Sequence, residues 1–421
     1  MKVVFIIPFP PQYEYKNGRE PDFYWLNQNY EKVCVWRTDW GHVFARDVKR
    51  FFPEIEYEVW RLDYRAQKEY VHRFEDGVIH RSFPAQIKYY RSGLKVKKSW
   101  TSNELIEKLE KEVQLNKHET NTVVHRSVDF NFFSNHILNR FFQRIPFLLT
   151  SHLNPNLLIP EISTIHPLKY LHRKLIKKQY KRHINLFENI AVSEDRLEFF
   201  KRNTRANVYP HNNLNFDFEW AKNKISKVTA RRKLGLDQDV FIIFSSSRIV
   251  PEKQLDKMLK CLSEIKDRKF ICIISGAGEI QYENYLKNMV QELCIDSKVF
   301  FVGFLSDTLI DYYCAADLFI STSGSESGPV SAIKAMALGN PLMSTDTGMA
   351  AYLLKQHNAG IILNKKDHSQ WAKKIIDVID RRQIDIIDPL VLEKKYGIEN
   401  STKQLVQYYQ QAIKNFQKSD L

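Results

Sequence analysis

The stretch Leu318-Phe319-Ile320-Ser321-Thr322-Ser323-Gly324-Ser325-Glu326-Ser327-Gly328-Pro329-Val330 runs on into Ser331-Ala332-Ile333-Lys334-Ala335-Met336-Ala337-Leu338-Gly339. It opens with an apolar run of strand length, passes through a Gly/Ser-rich loop and enters an Ala-rich helix closed by glycine. Pro329 suits a first helical turn, because the N–H it lacks would be orphaned there. The remaining free N–H groups of that turn form an anion site. Glu326 stands just before it, either as a cap that complements the helix dipole or as a ligand contact.

Working outward, similar apolar runs recur at Val240–Phe244, Phe270–Ile274, Val299–Val302, Pro341–Met343 and Gly360–Leu363, with helical segments between nearly all of them. Continuous Val/Ile/Phe runs are the mark of parallel strands covered by helices on both faces, so the C-terminal half reads as a doubly wound α/β domain. In such sheets ligands bind at the carboxyl ends of the strands. Directly after Val240–Phe244 comes Ser247-Arg248-Ile249-Val250-Pro251-Glu252-Lys253, with two cations at such an end. Arg248 can grip a phosphate with its fork and Lys253 adds a point charge, although both also fit a solvated helix start.

The first half shows a βαβ-like order. Strand runs at Val3–Ile7 and Glu56–Leu62 flank a helix from about Gly41 to Phe52, and further strands are expected at Asn121–His125, Phe147–Thr150 and Asn189–Val192. At 421 residues the chain is expected to form two domains of about 200 residues each. The Asn- and charge-rich segment from His211 to Arg232 is the expected connection. We assign 1–212 to an N-terminal Rossmann-like domain and 213–400 to a second, with a helix over 401–421. The chain is 43% hydrophobic and 27% charged, which excludes a disordered or fibrous protein. Its five cysteines lack metal or disulfide spacing, which suits a reducing cytoplasm. No run approaches the roughly eighteen apolar residues of a spanning helix. The net charge of +14 is uneven, since residues 1–212 hold 35 Lys and Arg against 24 Asp and Glu. That half is therefore expected to meet an anionic partner.

Taken together, these motifs resemble the family 4 retaining glycosyltransferases of GT-B fold, closely over about residues 240–365 and in outline over the rest. Ser247-Arg248 through Lys253 resembles the family's diphosphate clamp, Ser275-Gly276-Ala277-Gly278-Glu279 its strand-end glycine turn, and Val302-Gly303-Phe304-Leu305 the turn beside the nucleotide base. Glu326 through Val330, followed by Lys334, is similar to the E-x7-E signature. The resemblance implies two Rossmann-like domains facing each other across a cleft, with the C-terminal helix crossing back to the first. It implies donor contacts from Gly41, Arg248, Lys253, Gly278, Phe304, Ser327, Gly328, Pro329, Val330 and Lys334. Glu326 would position the donor sugar, and His152, in Thr150-Ser151-His152, would hold the sugar near the reacting carbon. The donor expected is a nucleotide-sugar, UDP-sugar first, with retention of configuration and no metal. The one D-x-D, Asp237-Gln238-Asp239, precedes a strand and reads as a solvated turn.

Two departures stand out. The second glutamate of the signature is Lys334, which accepts no hydrogen bonds and so changes how a ribose would be met. Beyond Gly348 the family's glutamate is absent from Met349-Ala350-Ala351-Tyr352. They motivate an alternative, a catalytically inactive GT-B protein acting as a nucleotide- or glycan-binding subunit.

Between Leu168 and Ile184 an apolar stripe is crowded by Arg173, Lys174, Lys177, Lys178, Lys181 and Arg182, a basic amphipathic helix. A solvated face and a membrane contact both fit it. A second cluster, Lys95, Lys97 and Lys98 beside Trp100, favours an anionic membrane surface or acceptor. We therefore expect a glycan or lipid-linked acceptor in bacterial surface polysaccharide synthesis, lipopolysaccharide or capsule, at the inner face of the membrane. No nucleic-acid motif is present, and nucleic acid is not an expected partner.

Overall fold

A computed structural model describes residues 1–8, 40–64, 66–92, 95–116, 121–127, 132–151, 178, 182, 184–185, 187–191, 194–210, 216, 218–326, 328, 330–365, 367–381 and 384–419. Two compact units emerge, one of Met1–His211 with Ser401–Leu421 and one of Asn212–Asn400.

Unit 1 is built on β1 (Lys2–Ile7), β2 (Glu56–Asp63), β3 (Tyr70–Arg73), β4 (Ile79–Pro84), β7 (Thr122–Ser127), β8 (Phe147–Ser151), β9 (Glu188–Ala191) and β10 (Val208–Pro210), with β5 (Gln86–Ser92) and β6 (Lys95–Thr101) forming a separate antiparallel hairpin. The sheet order is β10-β9-β8-β7-β1-β2-β4-β3, parallel except for β3 against β4. Strand order reverses between β1 and β7, so the ligand crevice of this unit is expected at their carboxyl ends. Its helices include α1 (Trp40–Phe51), α2 (Asn103–Asn116), α3 (Phe132–Phe141) and α4 (Glu194–Asn203). Along β1, Val4 and Ile6 face one core with α2 and α3, while Val3, Phe5 and Ile7 face another with α1. That two-residue alternation is the pleat itself. Leu405, Val406, Tyr409, Ala412 and Ile413 of the last helix, Ile398–Ser419, complete the second core.

Unit 2 carries β11 (Phe241–Ser246), β12 (Phe270–Ser275), β13 (Val299–Gly303), β14 (Leu318–Ser321), β15 (Leu342–Thr345) and β16 (Ile361–Leu363), all parallel, in the order β13-β12-β11-β14-β15-β16. This is the doubly wound order with its switch point between β11 and β14. Helices α5 (Lys227–Leu234), α6 (Leu255–Ser263), α7 (Ile280–Glu292), α8 (Leu309–Ala315), α9 (Val330–Ala337), α10 (Gly348–Gln356), α11 (Trp371–Arg381) and α12 (Pro389–Tyr396) cover both faces. Ile242 and Phe244 of β11 join one core while Phe241 and Ile243 join the other. Helix α5 starts where Ser226 accepts a hydrogen bond from Thr229 N (3.1 Å) and stops at Gly235, whose φ of 66° only glycine takes readily. Asp237 accepts from Asp239 N (2.8 Å) in a turn at the amino edge of β11, away from the carboxyl ends. Asp388 accepts from Leu390 N and caps α12.

Strands β3 and β4 and the β5–β6 hairpin occupy a region where the sequence pattern predicts no strand. Lys98 is an exposed residue of β6.

Candidate functional site

The carboxyl ends of β11, β12 and β13 are knitted together by backbone. Ser247 N donates to Ser275 O (3.0 Å), Ile249 N to Ala277 O (3.0 Å) and Gly276 N to Gly303 O (2.8 Å). The approach is so close that a Cβ on Gly276 would lie 1.8 Å from Ser247 O, and one on Gly278 would lie 2.1 Å from Ile249 O. Gly278 is thus required by packing, and its neighbour chain Ser247–Ile249 is fixed in turn. Arg248 is left exposed on that fixed turn. At the end of β13, Phe304 is 78% exposed, a large aromatic ring offered to solvent at the ligand edge of the sheet.

Across the switch point, Pro251–Lys253 makes one 3-10 turn and Gln254, at φ 52°, starts α6. The loop after β14 docks on it, with Thr322 Oγ1 donating to Lys253 O (2.8 Å) and Gly324 N to Glu252 O (2.8 Å). Here Lys253 Nζ and Glu326 Oε1 form an ion pair with side chains only 12% and 15% exposed. Ser323 Oγ donates to the same carboxylate oxygen at 2.7 Å, and Glu326 N donates to Thr347 Oγ1 at 3.0 Å. Thr345 Oγ1 holds Ser323 O at 2.6 Å. Loops from three strands therefore fix one carboxylate beside one ammonium. Ser323, Thr345 and Thr347 were not singled out from the sequence; the Ser/Thr clusters at the ends of β14 and β15 were the available signal.

The rest of the expected donor set is spread along this edge. Val330 begins α9, and the space where a Gly328 side chain would stand is open, so no packing within the chain demands glycine there. Ser327 and Pro329 lie outside the described residues. Lys334, one turn into α9, places its ammonium 4.8 Å from the centroid of Trp220. Burial lowers its pKa, and no carboxylate pairs with it among the described residues. A lysine rather than a glutamate is suited to this place, because the aromatic face attracts a cation.

In unit 1, Gly41 sits in the first turn of α1 and is buried. His152 lies outside the described residues, as do Arg173, Lys174, Lys177 and Lys181; Lys178 is exposed. Thr150, two residues before His152, ends a buried chain of hydrogen bonds. Its Oγ1 meets His125 Nε2 at 2.5 Å, His125 Nδ1 meets Tyr409 Oη at 2.7 Å, and Tyr409 meets Tyr57 Oη at 3.0 Å. Among the described residues no cluster of His, Cys, Asp or Glu has metal-holding geometry, and no helix is long and apolar enough to cross a membrane.

Comparison with solved structures settles the architecture. The chain superposes on sucrose-phosphate synthase from Thermosynechococcus elongatus with a TM-score of 0.63 at 17% identity, covering 97% of this chain and 98% of that one. The fold is GT-B. Anabaena HepE in complex with UDP gives a TM-score of 0.66 at 15% identity, over 98% of this chain and all of that one. Within this GT-B chain, residues 226–387 match the family of glycosyl transferases group 1. Curated relatives include an uncharacterized glycosyltransferase of Methanocaldococcus jannaschii, 26% identical over 44% of this chain and 49% of its own length. Another is the alpha-monoglucosyldiacylglycerol synthase of Streptococcus pneumoniae, 31% identical over 45% of this chain and 43% of its own. The chain thus spans about half the length of these relatives, and the segment 226–387 that matches the family holds Arg248, Lys253, Glu326 and Lys334.

Proposed function

We propose that this GT-B protein transfers a sugar from a nucleotide-sugar, UDP-sugar first, to a glycan or lipid-linked acceptor with retention of configuration. The single observation that carries the reading is the Lys253–Glu326 pair, clamped by Ser323 at the switch point of a group 1 matching unit. A leaving diphosphate needs cations where its charge develops, and Lys253 with Arg248 supplies them on a rigid turn. As the diphosphate draws Lys253, the Glu326 carboxylate, still held by Ser323, is freed to accept from sugar hydroxyls. Phe304 offers a face to the base, and the start of α9 offers N–H groups to the phosphates. His152 is assigned the sugar near the reacting carbon, by resemblance. No step requires a metal. A role in bacterial surface polysaccharide synthesis, in the cytoplasm and peripheral to the inner face of the membrane, is the biological setting proposed. The HepE structures with UDP and UDP-glucose support the choice of donor to try first.

The test is a thermal-shift series with UDP, GDP, ADP and CMP and their sugar conjugates, without added metal. At a hundred times its dissociation constant the right nucleotide stabilises by about 2.7 kcal/mol. We expect a shift with UDP that Arg248→Ala and Glu326→Ala both diminish, and an NMR spectrum of the product showing the donor's anomeric configuration. No shift with any nucleotide would sink the donor-site reading. The alternative, a binding subunit without catalysis, draws on the seat of Lys334 on Trp220, a packing role that needs no donor. It predicts nucleotide or glycan binding without turnover.

A further inference from the structure

In unit 1 a cavity of about 270 Å³ opens where the β5–β6 hairpin, the start of α2 and the start of α3 converge. The hairpin begins two residues after β4 ends, α2 begins two residues after β6, and α3 follows β7. All three elements therefore meet at the carboxyl edge of the parallel sheet, where open α/β sheets take ligands. The cavity lies just below the roughly 300–1,000 Å³ of drug-sized ligand pockets, and so suits a headgroup rather than a whole nucleotide.

Its chemistry is one-sided. Among the described residues the lining includes Lys88, His136, Ser102 and Asn103 but no Asp or Glu. Lys88 Nζ lies 5.8 Å from the centroid of the Phe132 ring and has no carboxylate partner among the described residues. Partial burial and then the charges of Arg140 and Lys88 lower the pKa of His136. Arg140 is itself paired with Glu110 at 2.9 Å, which leaves Lys88 as the uncompensated cation. A bound anion would relieve the ammonium and favour a protonated imidazole together. Beside the polar floor runs an apolar lip. Ile106, Phe132 and Phe133 line it, and Tyr90 stacks on Phe132 with ring centroids 4.7 Å apart. A phosphate carried next to a sugar face or an alkyl chain matches both halves.

We propose that this cavity is an acceptor subsite that takes the phosphate group of a phosphorylated sugar or lipid headgroup between Lys88 and His136, with Ile106 and Phe132 along the apolar part. The word acceptor rests on the transferase reading above; the phosphate site does not. The experiment uses the full chain and follows the His136 imidazole resonance and calorimetric binding with a hexose phosphate, with phosphatidylglycerol vesicles against phosphatidylcholine ones, and separately with UDP. Binding of the hexose phosphate or of the anionic vesicles is expected to move the His136 resonance toward its protonated position. It is also expected to weaken about tenfold or more in Lys88→Gln, persist in Lys88→Arg, and stay unchanged in Lys201→Gln, an exposed lysine of α4 that does not line the cavity. Saturation by the soluble phosphate identifies a sugar phosphate, and binding confined to anionic vesicles identifies a lipid headgroup. The proposal is overturned if neither binds, if Lys88→Gln binds like the wild type, or if Lys201→Gln loses as much. UDP binding without phosphate binding would remove this site and leave the transferase reading standing. Lys88-dependent phosphate binding without UDP binding would do the reverse.

Discussion

Lys253 and Glu326 come from loops that follow different strands, and each has most of its side chain out of water. Removing either strands the other's charge, which we expect to cost about 1–3 kcal/mol. The double variant Lys253→Met/Glu326→Gln should lose less than the sum of the two single ones. A urea-denaturation cycle reads the coupling directly, and strictly additive losses would show that the pair is not a unit. Gly278→Ala pushes a methyl against Ile249 O, a backbone atom with nowhere to go, so a loss of about 2 kcal/mol or more is expected by the same assay. His80 is fully buried and hydrogen-bonded to His42 at 2.9 Å; burial, then the charge of Arg61, then His42 and His72 hold its pKa well below 6.5. The unfolded chain therefore binds a proton below about pH 6.5 that the native one refuses. This contribution to stability is complete above that pH and falls as the pH falls, by up to about 1.4 kcal/mol per unit. Denaturation midpoints between pH 7.5 and 5 should drop less steeply in His80→Gln, and parallel slopes would count against the assignment. Of this residue-scale detail, the sequence shows which groups could meet a diphosphate. It does not show that Lys253 and Glu326 face each other, because that pairing depends on strands distant in the chain. The use of Lys334 was equally hidden, since Trp220 lies more than a hundred residues away, in the short 3-10 helix Phe218–Asn223.

Among the elements, the strands of unit 2 were readable because helices bury both their faces, so their sequences are nearly unbroken apolar runs. Unit 1 was readable only in part. In β4 the buried His80 and Ser82 and the half-buried Arg81 interrupt the apolar pattern; Arg81 is held by Glu58, with Nε donating to Oε2 at 2.7 Å and NH2 to Oε1 at 2.8 Å. In β5 and β6, polar and charged residues such as Lys88, Arg91, Lys97 and Lys98 break any apolar alternation on a two-stranded ribbon outside the main sheet, so the usual core face is missing. The last helix, Ile398–Ser419, docks through Tyr409, whose hydroxyl touches both Tyr57 and His125. Tyr409→Phe should cost about 1–3 kcal/mol, because buried partners are left unsatisfied. A Tyr409→Phe variant as stable as the wild type would show that the chain of hydrogen bonds is incidental.

At the scale of the whole molecule, each unit has its own pair of cores. Unfolding in urea is expected to show two transitions, with a bound nucleotide raising the midpoint of the one that unit 2 follows. Trp220 and Trp371 report on unit 2 and Trp60 on unit 1, so single-tryptophan variants can separate the two. One transition that shifts as a whole would show that the units unfold together.

The division of the chain has a consequence for its birth on the ribosome. Unit 1 closes only when residues 401–419 arrive, although its strands are made before those of unit 2. Unit 2 is a continuous segment and has all of its strands and helices some time before. The order of folding is therefore the reverse of the order of translation: the second unit can complete itself first, while the β1, β2 and β7 face that Tyr409 will cover waits uncovered. A premature stop just after Asn400 would remove nothing from unit 2, and yet it would damage the unit whose strands are made before it.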